Sequence, residues 1–245
     1  MTDNRPFGID CSKWQGKLKW DLIARHEPKV RFAGIRAAVS WGYTDSWFAM
    51  NWAEAKRVNI LRTAYHVVYP GEDPQRQMDH FLRVVGNDIG ELPLTLDCEL
   101  SHGQTGAKII DTILKCAAIL ETRTKRIPII YTAAWFVNGY CPGDWLNGFD
   151  CWIANYLSVA EEHPGPPILP KKMDPQRLLI HQTADKIPMI VDGVNVSEAK
   201  ATDRDRWVGD LASLYAYASA EPPQEELSLG NKVDALWKAH PELHG

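Results

Sequence analysis

Apolar and polar residues alternate with a period of two across residues 91–100, which read ELPLTLDCEL. One face holds the apolar set Leu92, Leu94, Leu96, Cys98 and Leu100, and the other holds Pro93, Thr95, Asp97 and Glu99. Successive side chains of a β-strand point to opposite faces, so this pattern predicts a strand. We expect helices to cover the apolar face, while the other face looks into a barrel interior or a cleft.

Further segments with strand character occur along the whole chain, and helical patterns separate the first five strands. The other predicted strands are 7–12, 32–41, 61–69, 127–132, 150–156, 178–183 and 192–196. The predicted helices are 20–26, 46–58 after a Ser46 cap, 74–86 after an Asp73 cap, 105–123 and 204–218. Five βα units followed by about three strands with few helices predict an α/β barrel, regular in its first half and contracted in its second.

The chain divides into residues 1–218, which we expect to form this barrel, and residues 219–245. The second part begins with a linker that contains Pro222 and Pro223. It ends in a short predicted helix over 231–245, with Val233, Leu236 and Trp237 on one side. That segment is too short for a separate binding domain.

Composition and charge exclude several classes of protein. The 245 residues are 45% apolar and 24% charged, as in ordinary soluble domains. A net charge of −4 without a basic run argues against a nucleic-acid partner. No apolar run approaches the roughly 18 residues that a membrane span needs, so no membrane insertion is expected. The N-terminus lacks a signal-peptide pattern, so we expect synthesis in the cytoplasm and delivery by another component.

The five cysteines are odd in number and form no CxxC pair, which predicts free thiols and neither a disulfide scaffold nor a zinc site. Cys11 and Cys98 are each next to an acid in a predicted strand, so their side chains should point to the face opposite Asp10, Asp97 and Glu99. His66 and His181 have no second ligand at metal-binding spacing, so we expect no metal and no cofactor.

Asp97 and Glu99 lie at the end of their strand, where α/β folds place their chemistry. They could be structural acids paired with Arg36 on the second predicted strand. The functional reading is that one carboxyl has a raised pKa beside an ionised partner, as glycosidic bond cleavage requires. The 10 tryptophans and 8 tyrosines fit either a sugar-stacking groove or the core.

Seven motifs in order resemble glycoside hydrolase family 25, the Chalaropsis-type lysozymes (N,O-diacetylmuramidases) common among phage endolysins. They are Gly8-Ile9-Asp10-Cys11-Ser12-Lys13-Trp14-Gln15-Gly16, Phe32-Ala33-Gly34-Ile35-Arg36-Ala37, Ala64-Tyr65-His66, Leu96-Asp97-Cys98-Glu99, Ile130-Tyr131-Thr132, Trp152-Ile153-Ala154-Asn155-Tyr156 and His181-Gln182-Thr183. Each motif alone is weak, but the ordered set is specific. It covers about residues 7–205.

The resemblance implies a flattened, irregular barrel that cleaves the β-1,4 bond between N-acetylmuramic acid and N-acetylglucosamine in bacterial peptidoglycan. It implies Glu99 as the general acid, Asp97 as the group that assists the substrate's acetamido group, and Asp10 as a further cleft acid. It also implies delivery through a holin or on a virion. The remaining candidate substrate-binding residues are Trp14, Arg36, Trp41, Tyr65, Tyr131, Tyr156, Gln182, Asp192 and Asn195.

The chain departs from the family pattern near the last predicted strand, where relatives carry an aspartate in a stretch like Val-Asp-Leu-Asn. The best match here is Val194-Asn195-Val196-Ser197, which replaces that acid with Asn195 and leaves Asp192 as a substitute. Two alternatives remain. One is a chitinase-like hydrolase of family 18, whose longer acidic motif the chain does not match. The other is a wall-binding or virion module without turnover.

Overall fold

Eight strands of the computed structural model close into a barrel, within described residues 3–157, 161–185, 191–194 and 202–221. The strands are β1 (Phe7–Cys11), β2 (Val30–Val39), β3 (Tyr43–Thr44), β4 (Leu61–Val67), β5 (Thr95–Asp97), β6 (Ile129–Ala133), β7 (Cys151–Ala154), β8 (Leu178–Ala184) and β9 (Asp203–Trp207). Around the barrel the order is β1-β9-β8-β7-β6-β5-β4-β2, and β1–β2 pairing closes the ring. β3 lies outside the ring as the antiparallel partner of β2.

Helices follow each of the first five parallel strands, which confirms the predicted irregular barrel. They are α1 (Trp20–Ile23), α2 (Phe48–Arg57), α3 (Pro74–Val85), α4 (Gly106–Thr124) and α5 (Ala134–Tyr140), and α6 (Leu211–Tyr217) closes the described chain. The predicted Asp73 cap is confirmed, because its side chain accepts a backbone N–H group of the first turn of α3. The side chain of Thr105, predicted as the first residue of the next helix, caps α4 in the same way. The predicted Ser46 cap is wrong, since α2 begins after Trp47, whose N–H donates to the Asp45 carboxylate.

The acidic strand β5 is shorter than its sequence pattern. Leu94, Leu96 and Cys98 pack in the core beneath the helices, as predicted. Leu92 instead joins the core inside the base of the barrel, against Phe32 and Trp152. The backbone N–H of Leu92 donates to a backbone carbonyl outside the regular pairing of β5. The alternation of inward and outward side chains within β5 therefore does not extend to Leu92.

The last barrel strand of the described chain is β9. Residues 192–194 of the predicted strand 192–196 are not in a strand, and residues 195–196 lie outside the described residues. β9 runs antiparallel to both neighbours, β1 and β8. The predicted helix from Arg204 is wrong in its first part, because Asp203, Asp205 and Trp207 face inward while Arg204 and Arg206 bond to Glu162 outside. This is the period of two that a strand requires.

The predicted helix of residues 231–245 and its apolar side lie outside the described residues, as do Pro222 and Pro223. None of the helices within the described ranges is long and apolar enough to cross a membrane.

Candidate active site

A cleft of about 280 Å³ opens where the parallel strands of the barrel end. Four carboxyl side chains line it, namely those of Asp10, Asp97, Glu99 and Asp203. Four aromatic rings line it as well, those of Trp14, Tyr65, Tyr131 and Trp152. Arg36 is the one basic side chain among the described lining residues. Buried acids in such excess over cations cannot all be ionised, so the cleft holds protons at a pH where exposed carboxyls lose them.

Asp97 and Glu99 lie together at the end of β5, as the sequence predicts. Asp97 pairs in register with Val67 of β4 and Tyr131 of β6, which places it between two cleft walls. Burial, then Glu99, then Asp10 raise the pKa of Asp97 well above its usual range. Burial and Asp10 raise the pKa of Glu99. Within the described chain the Oδ1 atom of Asp97 is buried and has no hydrogen-bond partner.

A hydrogen-bond chain holds Asp10 on the opposite side of the cleft. The Tyr131 hydroxyl donates to Oε1 of Gln182 at 2.9 Å, and Nε2 of Gln182 donates to Oδ2 of Asp10 at 2.8 Å. Burial raises the pKa of Asp10 to about 6, although the bonds from Gln182 and Asp203 and the charge of Arg36 oppose the rise. These contacts fix the orientation of Asp10.

Asp203 is a cleft acid that the sequence reasoning missed. It lies directly opposite Asp10 in the β1–β9 register and shares a side-chain hydrogen bond with it. Burial, followed by the charge of Asp10, raises the pKa of Asp203 well above its usual range. The cleft therefore does contain an acid from the last strand. Its sequence signal was the alternation in DRDRW, residues 203–207.

Of the two positions predicted for that acid, only Asp192 lies within the described residues. Asp192 has a side chain that is 68% exposed and lies 3.2 Å from Nδ1 of His26, and it does not line the cleft. Asn195 lies outside the described residues.

A second missed acid, Asp205, supports the floor of the cleft. It is fully buried and accepts a hydrogen bond from Nε1 of Trp152 at 2.9 Å. The Trp152 ring meets Tyr131 edge-on, with ring centroids 5.4 Å apart. A Cβ at Gly34 would lie 2.5 Å from Trp152 Cη2, so only glycine leaves room for this ring.

The remaining predicted residues divide between the cleft and its surroundings. Trp14 is 64% exposed at the cleft edge, and Tyr65 lines the wall with a pKa raised by burial and by Asp10. Burial, then the charges of Asp185 and Glu99, raise the pKa of Tyr156 to about 12. Trp41 lies outside the lining, beneath the guanidinium of Arg76.

Arg36 does not pair with Asp97 and Glu99. Its Nε donates to Oδ2 of Asp45 at 2.8 Å, and it lowers the pKa of Asp10 and Asp97 through its charge alone. The acidic pair is therefore not neutralised by a salt bridge to this arginine.

The described ranges contain no group of three or more His, Cys, Asp or Glu side chains that could hold a metal ion. His66 and His181 bond to Gln77 and to the backbone of Asn155. Burial lowers their pKa values to about 3 and about 4. All five cysteines are buried and free, in line with the prediction of free thiols.

Comparisons with known proteins relate this chain to one family. A sequence profile for glycosyl hydrolases family 25 matches residues 9–186. The chain is 31% identical over 163 residues to "Lysozyme M1" of Streptomyces globisporus, covering 61% of this chain and 54% of that protein. It is 30% identical over 162 residues to "Uncharacterized protein YegX" of Escherichia coli O6:H1, covering 64% and 59%. The matches thus span less than two thirds of these relatives' lengths.

Solved structures show the same barrel. The bacterial lysozyme from Streptomyces coelicolor matches with a TM-score of 0.74 at 28% identity, over 89% of this chain and 98% of that one. A family 25 glycosyl hydrolase from Bacillus anthracis matches with a TM-score of 0.72 over 89% and 96% of the two chains, and at 18% identity it supports the fold alone. Since the profile match covers well over half of the 245 residues, this chain belongs to glycosyl hydrolase family 25.

Proposed function

We propose that this chain is a peptidoglycan hydrolase, an N-acetylmuramidase that cleaves the β-1,4 bond between N-acetylmuramic acid and N-acetylglucosamine. The observation that carries the proposal is the pair Asp97 and Glu99, two carboxyls with raised pKa in an aromatic-lined cleft of a family 25 barrel. The similarity to proteins named as lysozymes supports peptidoglycan as the substrate class.

Glu99 acts as the general acid in this proposal. Burial and the neighbouring Asp10 raise its pKa, so it keeps its proton at a higher pH than an exposed glutamate. The proton passes to the glycosidic oxygen, which leaves with the electron pair of its bond to C1. A water molecule later attacks C1, displaces the substrate's acetamido oxygen from it and gives its proton to the Glu99 carboxylate.

Asp97 assists the substrate's own acetamido group. Its carboxylate, which lines the cleft, accepts the acetamido N–H, and this orients the acetamido oxygen to donate electrons to C1 as the leaving sugar departs. Asp10, whose pKa is about 6, adds negative charge on the other side of the cleft, where it is hydrogen-bonded to Asp203. That charge favours the positive charge that develops at the sugar ring in the transition state.

Digestion of purified cell walls tests the proposal. We expect soluble muropeptides whose reducing ends are N-acetylmuramic acid, identified by mass spectrometry. Glu99→Gln removes the acid while preserving the side-chain shape, and should lower the rate by roughly 10²- to 10⁴-fold. Glu121→Gln, on the exposed surface of α4, is the matched control and should digest walls at the wild-type rate.

Other outcomes identify the alternatives. N-acetylglucosamine at the new reducing ends would show a glucosaminidase. Cleavage of chitin oligosaccharides with walls left intact would show a chitinase-like enzyme. Binding to walls without any release, in the wild type, would show a module without turnover.

Delivery to the wall through a holin or on a virion is a further proposal, tested by lysis of host cells with and without a co-expressed holin.

A further inference from the structure

A group of cations and aromatic rings lies beside the cleft on the β1–β3 side, and the proposed chemistry does not use it. We call it the basic rim, and its members are Lys13, Trp14, Trp41, Tyr43 and Arg76. The three rings are all exposed, at 64%, 46% and 37% for Trp14, Trp41 and Tyr43. Exposed tryptophan and tyrosine faces of this kind stack on sugar rings or other flat groups.

Each cation of the basic rim is held over a ring. Nζ of Lys13 lies 4.7 Å from the Trp14 ring centroid and 5.1 Å from that of Tyr43. The guanidinium of Arg76 lies 4.1 Å from the Trp41 ring centroid. Stacking restricts a guanidinium to one plane, and its N–H groups at the edge stay free to bind a carboxylate with two bonds. The rim therefore presents ordered cations to solvent.

Neither Lys13 nor Arg76 forms a salt bridge with any residue of the described ranges. The acids nearest to Arg76 along the chain are Asp73, Asp79 and Glu72, and none of them pairs with its guanidinium. Asp73 accepts the backbone N–H of Arg76, Asp79 pairs with Arg123, and Glu72 accepts the hydroxyl of Ser40. The charges of both rim cations are thus available to a ligand.

Buried contacts anchor the rim to the cleft. Asp45, only 3% exposed, accepts the backbone N–H of Lys13 at 2.9 Å and also holds Arg36. The backbone N–H of Ser40, next to Trp41, donates to the carbonyl of Val67, which lines the cleft. Because Trp14 itself lines the cleft, a glycan that leaves the acidic floor on this side meets the rim next.

Charge complementarity identifies the ligand. Four carboxyls and one arginine line the cleft, so its floor does not attract an anionic chain. Peptidoglycan differs from chitin in carrying peptide stems with free carboxylates. We propose that the basic rim binds these stem carboxylates through Arg76 and Lys13 while its rings stack on the adjacent sugar, and so selects peptidoglycan over uncharged glycans. This inference rests on the proposed function for its substrate.

Wall binding by a protein with Glu99→Gln tests the rim without digesting the ligand. Binding is measured by co-sedimentation with purified walls and with walls whose carboxylates have been converted to amides. Arg76→Gln and Lys13→Gln should each weaken binding to untreated walls by roughly three- to tenfold, the size expected for one exposed charged contact. Binding to amidated walls should change by less than twofold.

Matched controls separate this effect from general loss of charge. Arg83→Gln removes an exposed arginine from the same helix, and Lys17→Gln an exposed lysine from the same loop. Both should bind the two kinds of wall as the parent does. The inference is overturned if the rim variants lose the same fraction of binding on untreated and amidated walls, or if the controls match them. Failure of the wild type to release muropeptides would refute the proposed function alone, since the binding comparison does not depend on turnover.

Discussion

Replacing Asp10 by asparagine should stabilise this protein at neutral and alkaline pH. Asp10 is 7% exposed and hydrogen-bonded to a second cleft acid, Asp203. Asparagine can keep the acceptor for Gln182 and turn its amide N–H group towards Asp203. The change therefore removes a buried ionisable group without removing its neighbours' bonding partners.

The pKa of Asp10 sets the magnitude. Burial raises it from an ordinary 3.8 to about 6. A folded-state carboxyl with a raised pKa binds its proton more tightly than the unfolded chain does, so stability is lost as pH rises from about 4 to about 6. A tenfold change in proton affinity corresponds to about 1.4 kcal/mol, and the loss for Asp10 is therefore about 3 kcal/mol above pH 6. Asp10→Asn should recover most of it.

Urea unfolding at pH 4 and pH 8 measures the effect. The variant should match the wild type at pH 4 and exceed it by about 3 kcal/mol at pH 8, a rise in Tm of roughly 6 to 12 °C. Asp88→Asn is a control of opposite sign, because hydrogen bonding to Arg62 lowers the pKa of Asp88 to about 2. That variant should be less stable than the wild type at pH 8. An Asp10→Asn variant with no larger gain at pH 8 than at pH 4 would refute the reasoning.

Further substitutions test the cleft. Asp10→Asn should also move the alkaline limb of the pH–rate profile to lower pH, because the Asp10 charge raises the pKa of Glu99. Gly34→Ala should displace Trp152, reduce stability by about 1–3 kcal/mol and reduce wall digestion per folded molecule. Gly8→Ala clashes with a core ring and should reduce stability alone. Reducing agent should change neither Tm nor activity, since all five cysteines are free; a large drop in either would contradict this.

Local pattern was enough to predict much of the barrel. The Asp73 and Thr105 caps depend on side chains within three residues of the groups they bind, so the sequence alone determines them. Strand alternation likewise placed Asp97 on the cleft side and Cys98 on the helix side. A shift of the strand by one residue would have turned Asp97 to the helices and Cys98 to the cleft. The alternation of the sequence therefore specifies which side chains face the cleft.

Only the tertiary structure revealed Asp203 and Asp205. Their strand carries acids on its inward face and arginines on its outward face, so it lacks the apolar alternation that marks an ordinary strand. The inward face can be acidic because it lines the cleft and supports the cleft floor through Trp152. Pairing of the last strand with the first places Asp203 against Asp10, and no local signal in the chain encodes that contact. The sequence determined which side of each regular strand carries the chemistry, whereas closure of the barrel decided which acids share a proton.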